Sequence, residues 1–121
     1  MKKTATLKVR VEVELKDIGK ERWGTSKQGE LNATYAQLCQ VFGPPNTNTE
    51  ETSQDHKTDV EWQGLIAGEP FTIYNYKDGP RYLGQAGTPI LKITDWHIGS
   101  HHARTAELVK AFFEDQQRRQ K

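Results

Sequence analysis

The chain has 121 residues, a length typical of one domain, so we expect residues 1–121 to form a single domain. Hydrophobic residues make up only 34% of the sequence and charged residues 27%, which favours a thin core that a dimer interface could supplement. The 17 Lys and Arg residues against 16 Asp and Glu give a formal net charge of +1, without the basic excess typical of nucleic-acid-binding proteins.

No apolar run approaches the about 18 residues that a membrane-spanning helix needs, and the start, Met1 to Thr4, does not resemble a targeting signal. The single cysteine, Cys39, cannot form an internal disulfide and has no second cysteine with which to build a zinc site. A reducing cytoplasm is therefore the simplest compartment, and we expect no membrane partner.

The first predicted element is one half-buried strand from Ala5 to Leu15, because apolar and polar residues alternate throughout it. The next segment, residues 17–31, is rich in Gly, Lys and Ser and shows no sustained period. Its one aromatic residue is Trp23. We interpret this segment as a mobile connection, which could become ordered only when a partner binds.

A short helix is predicted over residues 33–42. Four residues recur there at helical spacing and form one buried stripe: Tyr35, Leu38, Cys39 and Phe42. Asn32 and Thr34 are possible caps, and Gly43 with the two following prolines ends the helix. Because Cys39 lies on the buried stripe, we interpret it as a packing residue rather than a nucleophile.

Residues 44–57 contain two prolines and no large apolar residue, which predicts an exposed loop that is functional or disordered. Alternation returns in residues 58–66 and again in residues 71–77. These two runs predict a hairpin around a turn at residues 68–70.

A short run over residues 90–98 precedes Ser100, which is predicted to cap a final helix that reaches about Asp115. Five residues form the core-facing stripe of that helix: Thr105, Leu108, Val109, Phe112 and Phe113. The basic tail at residues 116–121 is predicted to fray. Together these elements favour an α+β domain in which an antiparallel sheet of about four strands carries two helices on one face. The small core and the long first strand also favour a homo-oligomer, most simply a symmetric dimer.

Two neighbouring stretches, residues 74–82 and 95–102, combine aromatic rings, cations and a Gly-Ser entry to a helix. Seven residues are predicted to bind a ligand: Tyr74, Tyr76, Lys77, Arg81, Trp96, His97 and Ser100. Aromatic rings stack on bases, Lys and Arg pair with phosphate, and a helix start offers backbone N–H groups to an anion. In this hypothesis the two tyrosines and the tryptophan stack, the two cations bind phosphate, and the histidine donates a hydrogen bond.

Two other interpretations of the same residues stay open. Tyr74 and Trp96 could be packing residues, with residues 77–79 serving only as a turn. Alternatively Asp95, His97, His101 and His102 are residue types that bind a divalent metal, as a metal-assisted hydrolase would need, although their spacing matches no established motif. The sequence therefore assigns no catalytic residue, no metal ligand and no cofactor.

Four blocks between about Asn32 and Phe113 resemble small accessory proteins encoded by tailed bacteriophages. The blocks are residues 35–38 with 41–44, residues 57–62, residues 73–79, and the Asp-Trp-His-Ile-Gly run at residues 95–99. The family has no general activity that could be transferred to this chain, and the N-terminal strand lies outside the resemblance. What the resemblance implies is a context: a host bacterial cytoplasm and a role in host takeover or counter-defence.

Three functions are compatible with these observations. The first is a phage-type counter-defence or host-takeover protein that sequesters a nucleotide-like or phosphorylated ligand without turnover. The second is an inhibitor that blocks a host protein by direct contact through Trp23, its segment and the long loop. The third is a metal-assisted phosphodiester hydrolase. Nucleic-acid binding through the basic tail is also possible, but a net charge of +1 favours weak affinity.

Overall fold

A computed structural model describes the backbone of residues 2–6 and 10–119 and the side chains of residues 11–119. Within this part of the chain six strands form one antiparallel sheet: β1 (Lys2–Thr6), β2 (Arg10–Leu15), β3 (Ser26–Asn32), β4 (Glu61–Ile66), β5 (Glu69–Tyr74) and β6 (Asp95–Ser100). The helices are α1 (Tyr35–Phe42), α2 (Thr49–Thr52), α3 (Pro80–Leu83) and α4 (Ala103–Arg119). The spatial order is β1-β2-β4-β5-β6-β3. The α+β fold is confirmed, with six strands rather than about four.

The core lies between one face of the sheet, called the inner face from here on, and helices α1 and α4. Phe42 at the end of α1 stacks on Phe113 of α4, with ring centroids 6.2 Å apart, and also packs against Phe71 of β5. The predicted stripe of α4 is confirmed, because Thr105, Val109, Phe112 and Phe113 are buried and Leu108 packs against the core. None of the helices in the described residues is both long and apolar enough to span a membrane.

Two fully buried tryptophans hold the two ends of α1. The Nε1–H of Trp62 donates to the carbonyl of Gly43, and that of Trp96 donates to the carbonyl of Ala33, each at 2.8 Å. The two indole rings meet edge to face with centroids 5.6 Å apart. Because each indole N–H has a partner, both rings are buried without an unsatisfied donor. The predicted helix and its cap at Thr34 are confirmed.

The prediction of one continuous strand from Ala5 to Leu15 is wrong. β1 and β2 pair with each other in antiparallel fashion, with Lys2 opposite Glu14 and Thr6 opposite Arg10. Alternation reports which residues share a face, but it carries no information about where the chain reverses. Part of the predicted strand, residues 7–9, lies outside the described residues.

The interpretation of residues 17–31 as a connection is also wrong over its second half, because Ser26–Asn32 form β3 and pair with β6. This strand lies at the edge of the sheet, and of its seven residues Leu31 alone is buried. A register shift between Lys27 and Gly29 interrupts the pairing. A polar edge strand with an irregularity shows no alternation, which is why the sequence pattern missed it.

The predicted β4–β5 hairpin is confirmed, but its turn comprises Ala67 and Gly68 rather than residues 68–70. Both turn residues have positive φ, 49° and 79°, as a two-residue hairpin turn requires. The final helix also differs from its prediction. β6 continues through Ser100, and α4 begins at Ala103 and extends past Asp115 to Arg119.

The last turns of α4 contain residues that the sequence assigned to a frayed tail. Arg119 Nε lies 2.9 Å from a carboxylate oxygen of Asp115, and Arg118 pairs with the same carboxylate at 3.5 Å. Arginines in the last turn also interact favourably with the helix dipole. Residues 116–119 therefore continue α4, their fraying stays a prediction, and residues 120–121 lie outside the described part of the chain.

The long loop at residues 44–57 contains α2 and is attached to the sheet. Asn46 Oδ1 accepts from the backbone N–H of Gln63 at 2.8 Å, and Asn46 Nδ2 donates to the Gln63 carbonyl at 2.9 Å. The pairing of β2 with β4 ends where Leu15 faces Gly64. The Asn46 side chain therefore satisfies backbone groups of β4 beyond the end of β2.

Candidate functional site

The face of the sheet opposite the helices, called the outer face, carries polar and aromatic side chains in cross-strand rows. The register places Glu61 opposite Tyr74, Tyr74 opposite His97, and His97 opposite Glu30. Side chains opposite each other on neighbouring strands are close enough to interact. This row therefore brings together two residues of the predicted ligand site, Tyr74 and His97, from β5 and β6.

Tyr74, Tyr76 and His97 form a cluster that we call the aromatic platform. The rings of Tyr76 and His97 are stacked, with an interplanar angle of 29° and centroids 5.4 Å apart. Tyr74 meets both edge to face, at 6.4 Å from Tyr76 and 5.5 Å from His97. Tyr76 is 40% exposed, so one side of the platform is open to solvent. Tyr74 and Tyr76 are therefore neighbours on the outer face, although β5 ends at Tyr74.

Gly99 makes room for the platform. A Cβ at this position would lie 3.3 Å from Cε1 of Tyr74 and would also overlap the side chain of Thr72. The contact with Thr72 Oγ1, at 2.5 Å, would force a side chain to move, and the contact with the Tyr74 ring would shift that ring by a few tenths of an ångström. The glycine of the Asp-Trp-His-Ile-Gly run is therefore explained by the close packing of Thr72 and Tyr74 on the neighbouring strand.

Lys77 is the cation of the platform, and its ammonium lies over the Tyr76 ring. Its ammonium lies 5.3 Å from the ring centroid of Tyr76 and 5.9 Å from that of Tyr82. Its backbone has φ of 63°, a left-handed conformation that costs of order 1 kcal/mol for a residue other than glycine. A hydrogen bond of 2.7 Å from its N–H to the Lys57 carbonyl helps to hold this conformation. The surrounding fold thus fixes the backbone position from which the Lys77 side chain extends.

Burial sets the charge state of the platform. Partial burial lowers the pKa of His97 below 6.5, the nearby Lys27 lowers it further, and the carboxylates of Asp95, Glu30 and Asp78 oppose that shift. Burial likewise raises the pKa of Tyr74, as do the nearby Glu61 carboxylate and Tyr76. At neutral pH both side chains are uncharged, and each can both donate and accept a hydrogen bond.

Two residues of the predicted ligand site cannot reach a ligand. Trp96 is fully buried on the inner face, so its predicted stacking role is wrong. Ser100 is also fully buried, and its hydroxyl donates to the carbonyl of His102 at 2.7 Å. Ser100 ends β6 instead of capping α4, which removes the reason for placing it at an anion site.

Arg81 is placed differently from its prediction as well. Its guanidinium donates to the carbonyls of Thr49 at 2.9 Å, Thr58 at 2.8 Å and Ser53 at 3.1 Å. A phosphate could bind these N–H groups only by displacing backbone carbonyls of the 44–57 loop. The guanidinium therefore ties that loop to α3, and the phosphate role of Arg81 stays a prediction that the proposal below does not use.

Asn75 organises a network that the sequence analysis missed. The side chain is fully buried, and its Oδ1 accepts from the N–H groups of Asp59 and Val60 at 2.9 and 3.2 Å. Its Nδ2 donates to the carboxylates of Asp59 and Asp78 at 2.8 and 3.0 Å. The available signal was a polar residue at an inner-face position of the alternation, two residues after Ile73.

The residues proposed for a metal site do not converge. The His97 ring belongs to the aromatic platform, whereas Nε2 of His101 lies 2.9 Å from the carbonyl of Glu21. Within the described ranges, 2–6 and 10–119, no group of three or more His, Cys, Asp or Glu side chains is placed to hold a metal ion. The hydrolase hypothesis based on Asp95, His97, His101 and His102 therefore loses its ligand set.

Residues 16–25, called the strap, cross the outer face from the end of β2 to the start of β3. A 3₁₀ turn at Gly19–Arg22 forms the middle of the strap. Trp23 follows this turn and is 72% exposed. Its N–H donates to the carbonyl of Lys20 at 3.0 Å, so the backbone that presents the indole is part of a hydrogen-bonded turn.

A pocket of about 380 Å³ lies at the β3 edge of the sheet, between β3, β6 and α4. Its floor includes Leu31 and Phe113, and its rim carries the charged residues Glu30, Asp95, Lys110 and Glu114. Because carboxylates dominate this rim, an anionic group would be less favourable here than near Lys77.

No protein-family model, curated protein or solved structure matches this chain. The resemblance to phage accessory proteins therefore stays a prediction. The aromatic platform and the strap are therefore the features of this chain that indicate a function.

Proposed function

We propose that this protein binds a nucleotide-like ligand on the aromatic platform and does so without turnover. The observation that supports this most directly is the stacked Tyr76–His97 pair, with 5.4 Å between ring centroids and an ammonium over the Tyr76 ring. Four of the predicted ligand residues, Tyr74, Tyr76, Lys77 and His97, remain in this proposal. Aromatic surfaces of this kind stack on the flat face of any base, with a stabilisation of about 1–3 kcal/mol per base.

The charge distribution orients the proposed ligand. The base stacks on the exposed surface of the Tyr76 ring, where it takes the place of the Lys77 ammonium, and that ammonium turns to the phosphate, away from the carboxylates of Asp95 and Glu30 near His97. The neutral imidazole of His97 and the hydroxyl of Tyr74 are available for hydrogen bonds to the edge of the base. One ammonium group favours a ligand with few phosphates.

The biological role that we propose follows from the resemblance to phage accessory proteins. A protein that removes a nucleotide signal from the host bacterial cytoplasm would act in counter-defence or host takeover by sequestration alone. The proposal also includes a homo-oligomer, because the core of a 121-residue chain with 34% hydrophobic residues is small.

Native mass spectrometry with a panel of nucleotides and cyclic dinucleotides tests the proposal. We expect one nucleotide-sized mass to be retained and recovered chemically unchanged, and the same spectra report the oligomeric state. Tyr76→Ala should weaken binding about tenfold or more, as expected for the loss of one stacking ring, and Lys77→Met should weaken it for phosphorylated ligands. Tyr82→Phe is the matched control, since it keeps the ring near Lys77. The proposal is contradicted if the protein binds no member of the panel, or if the recovered ligand has been chemically changed.

A second function is favoured by a different observation, the 72% exposure of Trp23. A tryptophan presented by an ordered turn is typical of the anchor residues of protein interfaces. In this alternative the protein blocks a host protein through the strap. Capture of a host protein from lysate that is lost in Trp23→Ala, but retained in Tyr76→Ala, would support the alternative over the platform. The reverse pattern would reject it.

A further inference from the structure

The strap covers a part of the outer face that is polar. β2 and β3, which the strap connects, lie on opposite sides of β4, β5 and β6 in the sheet. Beneath the crossing, the outer-face side chains of Glu61, Gln63 and Thr72 are only 6%, 5% and 3% exposed. Polar side chains are seldom buried this deeply on a sheet face unless another segment lies over them.

Polar contacts hold most of the strap in place. Arg22 Nη2 lies 2.6 Å from the carboxylate of Glu61 and donates to Oε1 of Gln63 at 3.2 Å. The N–H of Ile18 donates to the same Oε1 at 3.1 Å, and His101 Nε2 lies within hydrogen-bond distance of the Glu21 carbonyl. Of residues 16–25, all of them described, Ile18 is the single buried one.

This arrangement makes opening of the strap much less costly than unfolding of the core. Lifting the strap exposes one apolar side chain and several polar groups that water can hydrogen-bond, whereas unfolding exposes the whole inner face. Gly19 and Gly24, with φ of 52° and 85°, stand at either end of the 3₁₀ turn and allow the backbone to change direction there.

We infer that the strap is a lid that opens as a unit while the sheet stays folded, and that the Arg22–Glu61 ion pair holds it closed. Opening exposes Glu61 and Thr72, which flank Tyr74 on the outer face, and so enlarges the surface next to the aromatic platform. This inference concerns the conformation of residues 16–25 and does not depend on what the platform binds.

Native-state hydrogen exchange monitored by NMR tests the inference. The reporters are the N–H groups of Lys16 and Ile18, which donate from the strap to the carbonyl and the side-chain Oε1 of Gln63 on β4, at 3.2 and 3.1 Å, so that lifting the strap breaks both hydrogen bonds. We expect them to exchange faster than the N–H groups of the β4–β5 hairpin, and with little dependence on low concentrations of denaturant, because their opening exposes little surface.

Two substitutions separate opening of the strap from global unfolding. Ile73→Val, in the core, should accelerate exchange in the β4–β5 hairpin about fivefold but leave the strap amides unchanged. Glu61→Gln should accelerate the strap amides about tenfold, since every opened state loses the ion pair. Arg22→Gln removes the same ion pair from its more exposed side, so this variant replaces Glu61→Gln if Glu61→Gln fails to fold.

Glu30→Gln is the matched control, because it breaks the exposed Lys27–Glu30 ion pair, which lies outside the strap.

The inference is overturned if Ile73→Val accelerates strap and hairpin amides by the same factor, because the strap would then open only with the whole domain. It is also overturned if neither Glu61→Gln nor Arg22→Gln changes strap exchange relative to Glu30→Gln.

Discussion

The two faces of the sheet use aromatic residues in opposite ways. On the inner face Trp62 and Trp96 are fully buried, and each donates its indole N–H to a carbonyl at one end of α1. On the outer face Tyr76 is 40% exposed and stacks on His97. Trp96 and His97 are neighbours in sequence, yet one organises the core and the other belongs to the candidate site. The side of the sheet on which a ring lies therefore decides whether that ring is buried or exposed, and residue type does not.

The largest expected effect is a difference in stability between variants of two tryptophans, Trp96 in the core and Trp23 on the strap. Trp96→Ala should lower the free energy of unfolding by about 3–5 kcal/mol, because it leaves a cavity and removes the bond to Ala33. Trp23→Ala, on the strap, should change it by less than about 0.5 kcal/mol. Urea unfolding followed by circular dichroism measures both. If both variants lose the same free energy of unfolding, Trp23 on the strap contributes as much to stability as Trp96 in the core, and the two tryptophans do not differ in role.

A smaller difference in stability is expected between variants of Arg81 and Lys77, two cations that the sequence analysis assigned to one ligand site. Arg81→Met should destabilise the fold by about 2 kcal/mol, because several buried backbone carbonyls lose their donor. Lys77→Met should change the free energy of unfolding by less than about 0.5 kcal/mol, while it weakens the binding of a phosphorylated ligand. Thermal unfolding and ligand titration on both variants test this pair. If Arg81→Met is as stable as the parent protein, the loop network does not have the role assigned to it.

The smallest expected effect is the pH response of the platform. Because the pKa of His97 is lowered in the folded protein, the unfolded chain takes up the proton first as pH falls below 6.5. The contribution of His97 to stability is therefore complete above that pH and is lost as pH drops through its lowered pKa. NMR titration of the imidazole should give a midpoint below 6.5. Lys27→Ala should raise this midpoint and Glu30→Gln should lower it. A midpoint above 6.5 in the parent protein would show that the carboxylates outweigh burial.

Local patterns determined much of the architecture. Helical spacing gave α1 and the buried stripe of α4, since a stripe on a helix depends only on residues three and four apart. Alternation in two neighbouring runs gave the β4–β5 hairpin, since a period of two depends only on residues that are close in sequence. The α+β class followed from the same elements. These predictions succeeded because the interactions behind them are close in sequence.

Tertiary structure alone decided which of the predicted residues reach solvent. Trp96 is buried with its indole N–H donated to the carbonyl of Ala33, 63 residues away in sequence. The guanidinium of Arg81 donates to the carbonyl of Thr49, 32 residues away. The division of the first predicted strand into β1 and β2 and the placement of β3 at the sheet edge likewise depend on pairing partners. Periodicity defines two faces for each element, but it does not identify the distant segment that covers either face. That choice depends on the total burial and hydrogen bonding of the folded chain, to which every segment contributes.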